Sequence, residues 1–361
     1  PPATPAQGTP RAGPRTNSPD SVRGPDMRTA WTGGQYSLAR AAFGSAVALA
    51  AACSPGPVWL RAVTALAALL LGAGIAAPVA ALGALVGWIA LAEPRSFVQQ
   101  PWAALAPFAL LVHALVPRAP FGSVAALGRV DPGGGWRFPR ACAWLAWTGV
   151  LALALASAVG KGSADIASAL RIAACVGGLF PALRPYAWLV LVGGEAYASL
   201  DAPLALPARV LALGILFDPG WVRGKAGPVE RLYYDGSCGL CHRAVRFVLA
   251  EDADGSRFRV APLHGEAFDA HVEPEQRANL PDSVIVQTQD GRLLVRSDAA
   301  LHLLERLGGA WRAIGTAGRA IPRPLRDGAY DGVARVRKRL FAAPKEACPL
   351  LPRELRGRFE A

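Results

Sequence analysis

Charge is what this chain has least of. Only 18% of its 361 residues are Asp, Glu, Lys or Arg, against 52% hydrophobic residues, and the mean hydropathy is +0.28. Soluble domains carry about 25% charged residues. The deficit is local: residues 36–221 hold 11 Lys/Arg and 6 Asp/Glu, whereas residues 222–361 hold 23 and 18. One uniform soluble body is thereby excluded, and the pattern predicts lipid as solvent for the middle and water for the end. The first 30 residues lack any apolar run and are rich in Pro, Gly, Ser, Thr and Arg. They are expected to form a disordered tail rather than a signal peptide. Cysteine is sparse too, with six in all, and only Cys238 and Cys241 are close together. That excludes a disulfide framework and points to redox or metal chemistry at the pair. No nucleotide, flavin or metal signature is present, so no cofactor is expected.

What is abundant is apolar sequence from Tyr36 to Trp221. The runs are Tyr36–Cys53, Val58–Ile75, Ala76–Ala92, Trp102–Val116, Ala141–Gly160, Ile166–Phe180, Tyr186–Leu200 and Leu204–Phe217. Ala141–Gly160 has no charge over its 20 residues, close to what a bilayer core needs, while several others are short for a span. The reading is a multi-span α-helical membrane domain of about eight helices, with six as the alternative. Lys/Arg in the loops cluster on one side: Arg118, Arg129, Arg137, Arg140, Arg184, Arg223 and Lys225 share a side with both termini, against Arg95 and Lys161 opposite. The positive-inside rule then puts both termini in the cytoplasm of a multi-pass protein of the cell membrane. Arg61, His113, Arg171, Glu195 and Arg209 fall in or beside the runs. They form either a proton relay or substrate site, or an Arg171–Glu195 structural pair with Arg61 and Arg209 snorkelling to headgroups.

Beyond a small polar linker at 222–228, the pattern changes. Val229–Tyr234 alternates and is β-rich, Asp235-Gly-Ser is a turn, and Cys238-Gly-Leu-Cys241 runs into helical spacing over His242–Ala250. A cysteine at a helix N-terminus faces unpaired backbone N–H groups that stabilise a thiolate. The second cysteine, one turn on, is placed to resolve a mixed disulfide. Arg257–Leu263 and Ser283–Thr288 read as further strands. Asp290-Gly291 turns the latter into Arg292–Arg296, and Ser297 and Asp298 cap a helix Ala299–Leu307. Strand–helix–strand, hairpin, helix is the order of a thioredoxin-like α/β core, expected over residues 229–361. Pro281 precedes the third strand, where such folds carry a cis-proline beside the CxxC; an ordinary loop proline fits as well.

Two family resemblances follow. Tyr234-Asp-Gly-Ser-Cys-Gly-Leu-Cys-His242 resembles the signature of the DCC-type thiol-disulfide oxidoreductases. So do Ala261-Pro-Leu263, Pro281-Asp-Ser283, Ser297-Asp-Ala299, Ile321–Asp327, Tyr330-Asp331 and Cys348-Pro-Leu-Leu-Pro352. The resemblance covers about residues 229–359 and implies thiol–disulfide exchange, with Asp235, Cys238 and Cys241 on the signature positions. The segments Trp31–Arg40, Gly128–Trp136 and Leu216–Trp221 resemble the HTTM-type membrane domain related to vitamin K-dependent carboxylases.

Sharp and plain readings stand side by side for several residues. Cys238 and Cys241 are a redox pair, or half of a zinc site completed by His242 and Cys348, whose spacing is unlike paired zinc knuckles. Asp235 accepts a proton from the resolving thiol, or shapes the turn. His242 and Arg243 favour the thiolate or guide a partner, or are solvated first-turn residues. Cys348 is the best third thiol; Cys53, Cys142 and Cys175 read as packing groups. Arg335, Arg337, Lys338 and Arg339 suit anionic lipid or plain solvation rather than nucleic acid. The expectation is a membrane-anchored thiol-disulfide oxidoreductase acting as a reductase on protein or small-molecule disulfides. Its alternatives are a transporter or lipid-linked enzyme with a regulatory redox domain, and a non-catalytic assembly module.

Overall fold

The structure, a computed structural model, describes residues 30–92, 97, 101–160, 166–198, 206–281, 283–340 and 352–360. The expected N-terminal tail up to residue 29, Arg95, Lys161 and Cys348 lie outside the described residues.

Eight apolar helices are described in the first half: Gly33–Cys53 (α1), Val58–Ala73 (α2), Ala77–Leu91 (α3), Leu105–Leu115 (α4), Arg140–Gly160 (α5), Ile166–Gly177 (α6), Arg184–Ala198 (α7) and Leu206–Ala212 (α8). Thr32 starts α1, its hydroxyl accepting from the Gln35 N–H at 3.4 Å. Among the described residues, α1 and α5 are the two helices long and apolar enough, by length and composition, to cross a membrane. Exposed Leu, Val and Ile side chains such as Val63, Leu66, Val86, Val159 and Leu189 stud the outside of the bundle.

The ionisable residues of this half pair differently from expectation. Glu195 is 1% exposed and is met by Arg209 at 3.3 Å and the Trp102 indole N–H at 2.5 Å. Arg171 instead stands over the Trp102 ring, 5.2 Å from its centroid. Glu195 lies on α7, which packs against α8, so the α8 arginine reaches the carboxylate. His113 is buried with its Nδ1 2.7 Å from the Tyr36 hydroxyl.

The C-terminal part is a small mixed-sheet domain. Its elements are Glu230–Tyr234 (β1), Gly239–Glu251 (α9), Phe258–Pro262 (β2), Glu266–His271 (α10), Pro274–Ala278 (α11), Ile285–Gln287 (β3), Leu293–Val295 (β4), Arg296–Leu307 (α12), Gly309–Arg319 (α13) and Arg323–Leu340 (α14). The strands run in the order β2-β1-β3-β4, with β1 and β2 parallel and β3 antiparallel to both its neighbours. Strand alternation explains the two cores. Leu232 and Tyr234 face α9 and α12 with Phe258, Val260 and Val286. Tyr233 faces the other way, onto Phe268, Val272 and Ile285. As the central strand, β1 is buried on both faces and carries the chain straight into the Cys238 turn.

Two local expectations are corrected. Helix α12 starts at Arg296, earlier than predicted, and neither Ser297 nor Asp298 caps it. Both side chains are drawn instead to α14, where charged partners outbid the backbone. The 222–228 segment, read as a flexible linker, is strapped to the end of α12: Arg306 donates to the carbonyls of Lys225 (2.9 Å), Gly227 (3.2 Å) and Pro228 (2.5 Å). Lys225 also pairs with buried Glu305.

The two halves meet through Glu251, the last residue of α9. Its carboxylate accepts from the Thr32 hydroxyl, from the Gly34 N–H at 2.8 Å and from the Trp311 indole at 2.5 Å. An acidic side chain thus covers the positive end of α1. A Cβ at Gly34 would stand 2.5 Å from a Glu251 oxygen, so a larger residue there must push the carboxylate aside.

Candidate functional site

The site begins where β1 ends. Asp235 Oδ1 accepts from the Ser237 N–H at 2.8 Å and from its hydroxyl at 2.6 Å, closing an Asx turn. The Cys238 N–H donates to the Asp235 carbonyl at 3.2 Å. Cys238 is therefore held in extended conformation as the N-cap of α9, with φ −102° and ψ 116°. Its carbonyl accepts the His242 N–H at 3.1 Å, starting the helix. Cys241 lies in the first turn, on the face that Val245, Val248 and Leu249 bury. The Asp235 carboxylate is thus committed to the turn that presents the cysteines.

Both thiol residues are shut in, each 2% exposed and each part of the apolar cluster under the sheet. Helix α9 touches α1, α12 and α14. A molecule from solvent reaches the pair only when part of this cover moves. His242 turns back on the site, its Nε2 2.8 Å from the Gly236 carbonyl and its ring edge-on to Tyr234 at 5.5 Å. It stiffens the turn. Arg243, by contrast, is exposed. Pro281 is half-buried and follows a trans bond, since no cis peptide occurs among the described residues. Among the described residues no three His, Cys, Asp or Glu are grouped for a metal.

The structure brings together motifs that sequence reading left scattered. The Ser297 hydroxyl bonds Asp327. Arg326 donates to Asp298 at 2.7 Å and Ser297 Oγ at 3.0 Å, and Arg323 bridges Asp298 and Asp327 at 3.3 Å each. Arg296 meets Asp331 at 3.4 Å, and the Val284 N–H donates to the Tyr330 hydroxyl at 3.1 Å. These contacts clamp α14 onto the start of α12 and onto the chain just after Pro281. The Ser297 hydroxyl beside Asp327 holds its carboxyl below the usual aspartate range. The signal in the sequence was the complementarity of Ser-Asp at 297–298 with Arg-x-x-Arg-Asp at 323–327.

Asp298→Ala is expected to loosen the clamp, leaving Arg323 and Arg326 short of their carboxylate and costing about 1–3 kcal/mol. Hydrogen exchange should rise first in α14, and alkylation of Cys238 should quicken; unchanged rates at both would show that α14 does not restrict the thiols.

The segments Trp31–Arg40, Gly128–Trp136 and Leu216–Trp221 also converge, at the end of the bundle facing the sheet domain. The Trp31 indole donates to the Phe217 carbonyl at 3.0 Å, and the Ala30 N–H to Asp218 at 3.1 Å. Trp136 stacks on Tyr36 with ring centroids 5.2 Å apart.

A family model described as DCC1-like thiol-disulfide oxidoreductase matches residues 232–343, from β1 through α14. The uncharacterized protein YuxK of Bacillus subtilis (strain 168) is 31% identical over 136 residues, which is 37% of this chain and 94% of that protein. No solved structure matches the chain.

Proposed function

Because the chain belongs, through its C-terminal domain, to the DCC1-like thiol-disulfide oxidoreductase family, we propose that it is a membrane-anchored disulfide reductase working through Cys238 and Cys241. The observation that carries this reading is the placement of the pair: Cys238 caps α9 at the end of the central strand, and Cys241 follows in the first turn. The strand order and the helix between β1 and β2 support a thioredoxin-like core. The Cys238 thiolate attacks one sulfur of a substrate disulfide, forming a mixed disulfide and expelling the first substrate thiolate. The Cys241 thiolate then attacks Cys238 Sγ, expelling the second. Two electrons and two protons pass to the substrate, the Cys238–Cys241 disulfide is left behind, and an external dithiol must reduce it. Asp235 and His242 position the pair through the turn; Arg243 and Cys348 are candidates for partner contact.

The helical half serves in this reading as a multi-pass, HTTM-type anchor. Arg129, Arg137, Arg140 and Arg223 lie in the segments that meet the redox domain, which supports a cytoplasmic position for that domain. A reducing compartment then favours the dithiol resting state and the reductase direction. The docking of α9 on α1 through Glu251 favours one second reading, a regulatory redox domain on a membrane transporter or lipid-linked enzyme.

The full-length Cys241→Ala protein, incubated with oxidised glutathione, tests the assignment. A stable glutathione adduct on Cys238 is expected by mass spectrometry, and wild type should show none because Cys241 clears it. No adduct on Cys238 of the variant, under conditions where free cysteine reacts, sinks the exchange mechanism.

A further inference from the structure

A cavity of about 1420 Å³ opens between the helical half and the redox domain, lined from both sides. It is distinct from the thiol site. Leu249, Ala250 and Glu251 at the C-terminal end of α9 line it, whereas the cysteines begin that helix. At about 1.5 Å per residue the two ends stand roughly 15–20 Å apart.

Its charge is one-sided. Seven lining residues are Lys or Arg and three are Asp or Glu. All three acids are engaged: Glu251 by Thr32, Gly34 and Trp311, Asp254 by Arg257 at 3.3 Å, and Asp131 by the Gly133 N–H at 2.9 Å. Arg137 and Arg223 are exposed on the rim and make no ion pair among the described residues. Deeper in, Arg306 is 2% exposed and committed to Glu230 at 3.7 Å, and Lys225 and Arg257 pair with Glu305 and Asp252. The two unpaired rim cations raise the local concentration of anions. Aromatic rings line the same cleft, two of them the chain neighbours of Arg137. Trp31 and Phe138 belong to the apolar core of the bundle, and Trp136 packs against it.

Exposed guanidinium groups and aromatic rings lining one cleft suit a molecule with an anionic head and an apolar body. A phosphate offers several acceptor oxygens to more than one guanidinium, so it matches separated arginines better than a single carboxylate does. We propose that this interdomain cleft binds a phosphate-bearing ligand, its charge neutralised by Arg137 and Arg223 and its body laid against Trp31, Trp136 and Phe138. This goes beyond the redox reading and does not depend on it, since no lining residue is a cysteine.

The chemistry has two sources, the headgroup of an anionic phospholipid or a soluble phosphate compound. Full-length protein in detergent is titrated with phosphatidylglycerol, with phosphatidylcholine and with inorganic pyrophosphate, and binding is read by native mass spectrometry. Phosphatidylglycerol bound at least about tenfold more tightly than phosphatidylcholine identifies the lipid source; pyrophosphate binding without that preference identifies the soluble one. In either case the Arg137→Gln/Arg223→Gln double variant should weaken binding by about tenfold or more. Both side chains are exposed and unpaired, so the variant should fold, as its circular dichroism will show. Arg292→Gln, an exposed basic site on the β3–β4 turn outside the cleft, should leave binding unchanged. The proposal is overturned if neither probe binds, if the double variant binds as wild type does, or if Arg292→Gln weakens binding equally.

Discussion

Serine in place of Cys238 is expected to lower disulfide reduction by at least about a thousandfold, the scale seen when a covalent nucleophile is removed. The assay is reduction of oxidised glutathione by the full-length protein, with a dithiol regenerating the pair. The hydroxyl is nearly isosteric with the thiol, and residue 238 is buried at the head of α9, so the circular dichroism should not change. The loss is then chemical, because an alcohol is not ionised near neutral pH and forms no disulfide. Full activity in Cys238→Ser with loss in Cys241→Ser would reverse the two roles. Full activity in both would leave an assembly module. A regulatory domain would show itself differently, with any activity of the helical half persisting but no longer responding to oxidant.

Glu251→Ala should give the largest loss of stability. It leaves the Thr32 hydroxyl, the Gly34 N–H and the Trp311 indole N–H without their acceptor in a buried place. Each unsatisfied donor costs about 1–3 kcal/mol, and relaxation should hold the total to about 2–4 kcal/mol. The end of α1 also loses its anion. Cleavage by trypsin at Arg223 and Lys225 should quicken as the halves separate, while a redox domain that keeps its own core stays folded. Unchanged cleavage and melting temperature would mean that Glu251 holds nothing together.

The same residue sets a pH dependence. Burial pushes the Glu251 carboxyl above the ordinary glutamate range, against the pull of its hydrogen bonds to Thr32, Trp311 and the backbone. The folded state therefore holds its proton more tightly than the unfolded chain does. Its contribution to stability is fully present below the ordinary glutamate range and is lost as pH rises through the raised folded-state value. Melting temperature should accordingly show a downward component over that interval in wild type that is absent from Glu251→Gln.

Much of the outline was legible in the sequence because its causes are local. The break in charge near residue 221 marks where the helical region gives way to the sheet domain, since solvent preference is a property of composition. Strand alternation in Val229–Tyr234, the Asp290-Gly291 hairpin and the CxxC at a helix start depend on neighbours a few residues away; the strands stand within a residue or two of expectation, and α9 begins three residues before its expected start at His242. Partner choice was not local. Glu195 joined Arg209 rather than Arg171. Ser297 and Asp298 left the cap of α12 for Asp327 and Arg326. The 222–228 segment was tied down by Arg306, and Glu251 found the start of α1 from 219 residues away. The burial of both thiols and the cationic cleft arise in the same way, from helices that close over one another only once folded. A side chain's local spacing sets the face of the element it occupies. Which distant group meets that face is decided by packing, where a buried charge or donor takes the partner that relieves its desolvation.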